Sequence, residues 1–279
     1  MATPRVHEPS IGPLLRRWRT ARRMSQLDLA LTAGVSARHV SFLETGRSRP
    51  SRDMLLALAG VLDVPLRERN TLLQVAGFAP AYRETALDDP GMADIRQALE
   101  LILAQHEPFP AAAMDAGWDI VMANAAYVRF LAALRPGRPA PEPLSFTRPP
   151  RLNALRLLFE PGGVRESLTN WPQVARELLA RLDREAASDS ERAAALLGEL
   201  AAQPGVPSGW REPDLDAPLS LVLPVEVRLG PYALRFFTTL TTLGAPQDVT
   251  LQELRIESFH GADAATRDLV RALAAPPTA

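Results

Sequence analysis

The sequence predicts an α+β protein, with an N-terminal domain of five helices followed by a domain in which helices flank an antiparallel sheet. Three observations predict this class. Apolar residues recur at helical spacing through residues 11–76, without any strand signal. Two short apolar runs, separated by the turn dipeptide Ala116-Gly117, indicate a β-hairpin. Toward the C-terminal end, apolar residues alternate with mostly polar ones, which is the period of a strand.

The first domain is predicted to cover residues 11–78, after a flexible tail at 1–10 that holds two prolines and has no periodicity. Residues that cap helix N-termini, and glycines that end helices, divide this domain into five helices. Ser25 is followed by Asp28 three residues later, as in a capping box. The predicted helix starts are Ile11, Ser25, Ser36, Ser51 and Pro65, and the predicted ends include Gly34, Gly46 and Gly77.

The second domain is predicted to cover residues 92–275, after a linker at 79–91. Its predicted helices lie at 92–105, 124–134, 152–160, 170–187, 190–202 and 263–274. Its predicted strands lie at 111–115, 118–123, 219–229, 232–243 and 249–259, with loops at 135–150 and 203–218. In the last strand, alternation places Leu254 and Ile256 on one face and Glu253, Arg255 and Glu257 on the other. Two strands, then helices, then a three-strand meander is the element order of a PAS-like domain.

The composition excludes several classes of protein. The 279 residues are 47% hydrophobic and 23% charged, which is typical of a globular chain. Because there is no cysteine, disulfides, thiolate nucleophiles and Cys-based metal sites are excluded. No apolar run reaches the roughly 18 to 20 residues of a membrane-spanning helix, and the N-terminus lacks the apolar core of a signal peptide. We therefore expect a soluble protein of the cytoplasm.

The net charge of -1 conceals a division between the two predicted domains. Residues 1–80 hold 12 Arg against 6 Asp or Glu, whereas residues 81–279 hold 19 Arg against 26 Asp or Glu. All 31 basic residues are Arg. A basic first domain and an acidic second one indicate that only the first meets a polyanion.

The segment from Ser25 to Gly46 carries the most specific pattern in the chain. Its apolar residues can form one small core between two helices, and Gly34 lies where the turn between them requires a positive φ. If Val40 and Leu43 are buried, the opposite face of the second of these helices points outward. Such a helix can enter a DNA major groove, which is about 12 Å wide.

Residues 11–76 resemble the helix-turn-helix of the lambda-repressor/XRE type. The shared pattern is S-Q-x-x-L-A-x-x-x-G, then Val at a core position, then L-E-x-G. The resemblance implies that the third helix reads base edges while flanking residues bind phosphates, and His39 is expected to reach a phosphate or solvent. For Phe42 the alternative is packing within its own domain. The implied DNA-binding residues are Gln26, Ala37, Arg38, His39, Ser41, Phe42, Arg47 and Arg49.

The same resemblance implies a structural ion pair between Arg19 of the first helix and the Glu44 of L-E-x-G. A partly buried pair of this kind would be costly to break by removing one partner. The alternative is that Glu44 is only a solvated helix end.

The chain as a whole is similar to XRE regulators that carry an MmyB-like ligand-binding domain. The similarity includes residues 36–55 and 66–80, Asp119 to Ala125, Asn170-Trp171 and residues 236–259. It implies a PAS-like domain that holds a small ligand, fatty-acid-like and mainly apolar. Apolar helix faces and one strand predict the ligand-binding residues, which are Leu155, Leu158, Phe159, Trp171, Val174, Leu178, Phe236, Thr238 and Leu240. The alternative for each of them is that it fills the core.

No pattern favours an enzyme, a cofactor or a metal ion, because nucleotide-binding, nucleophile-elbow and metal-ligand spacings are all missing. A haem-binding sensor would need an axial ligand, and nothing marks His106 or His260 as one. We expect a sequence-specific transcription regulator that binds a palindromic DNA operator as a homodimer and senses a small apolar ligand. The alternative is a DNA-binding regulator whose second domain is a protein-interaction or dimerisation module without a ligand.

Overall fold

The computed structural model describes residues 10–135, 137, 151–187, 191–212 and 222–274. The chain forms two compact units. The first unit contains the residues up to Thr85 together with the segment Gly244–Gln252, and the second contains Ala86–Leu243 and the chain from Glu253 onward. The predicted Pro-rich loops at 135–150 and 203–218 fall largely or partly outside the described residues.

Five helices form most of the first unit, at the places where the sequence predicts them. Ser25, Ser36 and Ser51 each accept a hydrogen bond from a backbone amide of the first turn, and Ser25 and Asp28 form the complete capping box. Gly34 ends the second helix in the left-handed region, at φ 68°. The helices are α1 (Ile11–Ala21), α2 (Gln26–Ala33), α3 (Ala37–Glu44), α4 (Arg52–Val61) and α5 (Leu66–Val75).

The core of the first unit fixes the position of α3. Leu43 is fully buried and Val40 nearly so, as part of a cluster to which all five helices contribute. Gly12 lets α1 approach the end of α3, because a Cβ at that position would overlap the backbone carbonyl of Glu44. With one face of α3 held in the core, its opposite face is presented to solvent.

The segment Gly244–Gln252 completes the first unit from a distant part of the chain. Pro65 provides no side-chain cap for α5, and the side-chain Oε1 of Gln252 accepts a hydrogen bond from the Leu66 amide at 2.6 Å. The carboxylate of Asp248 accepts from the Thr85 hydroxyl, also at 2.6 Å. An uncapped helix start leaves amides unsatisfied, so this segment supplies what the local sequence of α5 lacks.

The second unit is a five-stranded antiparallel sheet flanked by helices, with the strand order β2-β1-β5-β4-β3. This is the PAS-like α+β fold that the element order predicts. The strands are β1 (Ala111–Met114), β2 (Ile120–Ala123), β3 (Pro224–Leu229), β4 (Tyr232–Thr242) and β5 (Arg255–Gly261). Its helices are α6 (Ala93–Gln105), α7 (Ala125–Ala133), α8 (Ala154–Phe159), α9 (Trp171–Ala186), α10 (Glu191–Ala201) and α12 (Ala264–Ala274). The short helix α11 (Val249–Glu253) lies, except for its last residue, in the segment that belongs to the first unit.

One prediction about the strands was wrong, and another is observed only in part. The predicted strand at 249–259 begins with the short helix α11, and β5 starts only at Arg255. The reason is local as well as tertiary: Asp248 Oδ1 accepts a hydrogen bond from the Thr250 amide at 2.9 Å and so favours a helical turn. The strand predicted at 219–229 is observed as β3 from Pro224, and residues 219–221 lie outside the described chain.

Both faces of the sheet are covered at β5, which the alternation pattern did not show. Ile256 is 3% exposed on one face, and its neighbours Glu257 and Phe259 lie on the other face among apolar side chains. Glu257 was predicted to lie on a polar face, and this prediction was wrong, because α7, α8 and α9 contribute apolar residues on that side. In the described part of the chain, no helix is long and apolar enough to span a membrane.

Candidate nucleic-acid interface and ligand cavity

The outward face of α3 carries a cluster of two arginines around one aromatic ring. The guanidinium carbon of Arg38 lies 5.1 Å from the centroid of the Phe42 ring, and that of Arg47 lies 6.0 Å from it. Phe42 is half-buried, whereas Arg38 and Arg47 are exposed. The ring therefore supports both cations by cation–π attraction and limits the positions that they sample.

The turn after α3 holds Arg47 beside that ring. Gly46 adopts φ 71°, and the amides of Arg47 and Ser48 donate to the Phe42 carbonyl at 2.8 and 3.2 Å. This is how a left-handed residue closes a helix C-terminus. Arg49 is exposed two residues further on, so the turn presents two cations next to the end of α3.

The remaining predicted DNA-binding residues have partners inside the first unit. Gln26 Nε2 donates to Glu44 Oε2 at 2.8 Å. His39 Nε2 lies 3.0 Å from the sulfur of Met54, and its ring is half-buried. Ala37 packs against the core, and Ser41 is half-buried. The structure thus brings Arg38, Phe42 and Arg47 into one surface cluster, whereas Gln26 and His39 contact Glu44 and Met54.

Glu44 ties three helices together. Arg19 Nε donates to its Oε1 at 2.6 Å and Arg19 Nη2 to its Oε2 at 2.9 Å, so the pair is bidentate and joins α1 to α3. Gln26 adds α2 to the same carboxylate, and the side chain of Glu44 is only 4% exposed. Burial by itself would raise the pKa of Glu44, but the hydrogen bonds from Arg19 and Gln26 and the positive charge of Arg19 hold that pKa below its ordinary value.

The second unit encloses an apolar cavity of about 110 Å³ between the sheet and α7, α8 and α9. Five of the nine predicted ligand-binding residues line it, namely Leu155, Leu158, Val174, Leu178 and Thr238. Phe159 and Phe236 belong to the surrounding core, at 1% and 0% exposure, and Trp171 packs edge-on against Phe159. Leu240 does not line the cavity and is 37% exposed, because β4 extends beyond it.

Sequence reasoning missed a group of lining residues that carry polar atoms. Tyr127 projects from α7, and Glu257 lies on β5 two residues from Phe259. Burial raises the pKa of the Glu257 carboxyl, and the hydrogen bond from Thr238 and the charge of Arg181 offset that rise only in part. Burial also raises the pKa of the Tyr127 phenol, and the negative charge of Glu257 adds to the rise. The sequence offered no signal for this group, because Glu257 stands between Ile256 and Ser258 in a strand with alternating polar and apolar residues.

Two family models match the chain. The helix-turn-helix family matches residues 15–69, the range in which the Arg38–Phe42–Arg47 cluster lies. The family described as the MmyB-like transcription regulator ligand binding domain matches residues 95–273, the range in which the cavity lies. The second family is named for transcription regulation. Within the described residues, no group of His, Asp or Glu side chains is placed to hold a metal ion.

Comparisons with whole proteins add little. No curated protein matches the chain. A solved structure titled as that of an RNA-binding light-oxygen-voltage receptor is similar at 14% identity and a TM-score of 0.26, over 96% of this chain and 68% of that one. At that score the superposition supports no inference. Because the match over residues 95–273 covers more than half of the chain, the protein belongs to the family of MmyB-like transcription regulators and has a helix-turn-helix DNA-binding domain.

Proposed function

We propose that this DNA-binding regulator reads one palindromic operator as a homodimer, and that a small ligand with an apolar body, held in the second unit, changes its affinity for that operator. The observation that carries the DNA part is the Arg38–Phe42–Arg47 cluster on the exposed face of α3. We expect Arg38 to pair with guanine O6 and N7, and Phe42 to contact a thymine methyl. We expect Arg47 and Arg49, just past the end of the helix, to bind phosphates.

Three arginine variants test this division between base and phosphate contacts. A duplex selected by the full-length protein from a random pool would be compared with a scrambled duplex of equal length. We expect Arg38→Ala to weaken binding of the selected duplex by about 1–3 kcal/mol and to leave the scrambled duplex unaffected. Arg47→Ala should weaken binding of both duplexes alike and reduce the salt dependence by about one phosphate contact.

Arg67→Ala is the matched control. It removes one positive charge from the same unit, but Arg67 lies on α5 and is held by Glu84 at 2.6 Å. Its affinity for both duplexes should equal that of the wild type. If Arg38→Ala and Arg47→Ala behave alike on both duplexes, the proposed roles of the two residues are wrong.

The ligand part of the proposal is supported by the apolar lining of the cavity. A ligand that binds one conformation better than another would shift operator affinity, typically by about 1–3 kcal/mol. The test is denaturing mass spectrometry of purified full-length protein, followed by operator titration before and after the extracted molecule is returned. No co-purifying molecule and no effect of the extract would argue for the alternative.

The alternative is that the second unit serves only for dimerisation or protein interaction. It is favoured by apolar exposure on α6, where Leu101 is 58% exposed and Ile102 is 39% exposed. Light scattering of the wild type and of Leu101→Glu distinguishes a dimer that uses this helix from one that does not. A dimer on DNA should contact half-sites about 34–36 Å apart, or a multiple of that spacing.

A further inference from the structure

Three polar side chains converge in the otherwise apolar cavity of the second unit. They are Tyr127 from α7, Thr238 from β4 and Glu257 from β5. Thr238 is paired across the sheet with Phe259, and Glu257 lies two residues before Phe259, so the hydroxyl and the carboxyl share one face. The Thr238 hydroxyl lies close enough to the Glu257 carboxyl to lower its pKa. The other polar group near this lining, the Trp118 indole N–H, donates to Glu185 at 3.1 Å.

Among the described residues, no cation forms an ion pair with Glu257. The nearest positive charge that acts on it is Arg181 on α9, and Arg181 Nε already donates to Glu185 Oε1 at 3.2 Å. Arg255 lies two residues before Glu257 on β5 and also donates to Glu185, at 2.7 Å. Glu257 therefore faces the cavity with the Thr238 hydroxyl nearby and with a weak attraction to Arg181, whose own hydrogen bond goes to Glu185.

A buried carboxyl of this kind discriminates between the polar ends of possible ligands. A ligand carboxylate placed beside it would bring two like charges together in a medium of low dielectric constant, which disfavours binding. An alcohol, a phenol or an amine would instead donate a hydrogen bond to the free lone pairs of Glu257 and would satisfy them. The apolar walls accept the rest of the molecule in either case.

The size of the cavity limits the apolar body. Its volume of about 110 Å³ is below the roughly 150 Å³ of an engineered apolar cavity that binds benzene. The enclosed part of a ligand is therefore small, such as a short alkyl chain. Probes with six carbons vary the polar end of the ligand without adding a long apolar tail.

We propose that Glu257 selects a small amphiphile whose polar end donates a hydrogen bond, an alcohol, phenol or amine, and rejects one that ends in a free carboxylate. This inference rests on the proposed ligand sensing and defines the chemical class of the ligand. It differs from the fatty-acid-like ligand that the sequence resemblance implies.

The test uses 1-hexanol, hexylamine and hexanoate, titrated into the full-length protein by calorimetry. We expect the wild type to bind hexanol and hexylamine at least about 10-fold more tightly than hexanoate. Glu257→Gln removes the negative charge and keeps the size of the side chain. It should bind hexanoate about 10-fold more tightly than the wild type does and change hexanol binding by less than about 3-fold.

Glu226→Gln is the matched control. Glu226 lies on β3, between Val225 and Val227, which line the cavity, so its side chain points to the opposite face and approaches Arg235 at 3.4 Å. Glu226→Gln should bind the three probes in the same order of affinity as the wild type does. Thermal melting of each variant verifies folding, and the comparison of the three probes on the wild type stands even if Glu257→Gln does not fold.

The possible outcomes separate the two proposals. Tightest binding of hexanoate by the wild type, or an unchanged preference in folded Glu257→Gln, overturns the role of Glu257 and leaves ligand sensing intact. If none of the three probes binds to the wild type or to Glu257→Gln, ligand sensing in this cavity is itself overturned, and the inference is overturned with it.

Discussion

Glu44 in the first unit and Glu257 in the second have opposite electrostatic environments. Glu44 receives two hydrogen bonds from Arg19 and one from Gln26, and its pKa is lowered. Glu257 lies in an apolar cavity beside the Thr238 hydroxyl, and its pKa is raised. The first carboxylate is therefore fully partnered and structural, whereas the second retains acceptor capacity inside a cavity.

The largest expected effect comes from breaking the fully partnered pair. Arg19→Met leaves the Glu44 carboxylate 4% exposed and without its bidentate partner. We expect the free energy of unfolding of the first unit to fall by about 3–5 kcal/mol, because an uncompensated buried charge remains. Urea denaturation followed by circular dichroism measures this.

The control for that variant is Arg67→Met, which breaks an exposed pair with side chains 44% and 56% exposed. Exposed pairs contribute under about 1 kcal/mol. Equal losses in the two variants would show that Glu44 is solvated, and the contrast between the two glutamates would disappear.

The second-largest expected effect is the loss of stability when a helix cap is removed, and it differs between the two units. Asn124 begins α7, and its side chain also accepts from the Ala111 amide and donates to the carbonyls of Leu103 and Phe109. Ser36 begins α3, and its side chain accepts one local hydrogen bond from the His39 amide. We expect Asn124→Ala to cost about 2–4 kcal/mol, because buried groups lose their partners, and Ser36→Ala about 1 kcal/mol.

Thermal and urea melts of the two variants check this difference. The matched pair separates a helix cap that depends only on neighbouring residues from one that also joins the sheet to α6. A loss for Ser36→Ala as large as that for Asn124→Ala would mean that the first unit depends on its caps as strongly as the second depends on tertiary contacts.

The smallest effect concerns Glu257 itself in the absence of ligand. The unfolded chain releases this proton near the ordinary glutamate pKa of about 4.3, whereas the folded unit retains it to a higher pH. The free energy of unfolding therefore falls as pH rises between those two pKa values. Glu257→Gln should remove this fall and stabilise the second unit at pH 8 by about 1 kcal/mol.

The pH dependence of stability that Glu44 contributes has the opposite sign. Its folded pKa is below the ordinary value, so its stabilisation is present above pH about 4.3 and is lost as pH falls through the folded pKa. Melts of the wild type and Glu257→Gln between pH 3 and pH 8 show both trends. A wild-type stability of the second unit that rises with pH from 5 to 8 would contradict the raised pKa of Glu257.

The sequence alone determined those features that depend on neighbouring residues. The caps at Ser25, Ser36 and Ser51 and the left-handed Gly34 lie where expected, because each needs only a side chain and a backbone within three or four residues. The PAS-like α+β class followed from the order and period of the elements. The motif at residues 25–46 predicted the helix-turn-helix family, and that was confirmed.

Tertiary packing determines which side chains meet when they are far apart in the sequence. The hydrogen bond by which Gln252 caps α5 joins residues that are 186 positions apart. Glu257 looks like a solvent-facing residue in an alternating strand, and it lines a cavity because three helices cover that face. Periodicity specifies which residues share a face, and packing specifies whether that face is covered, so the polar end of the cavity could be found only in three dimensions.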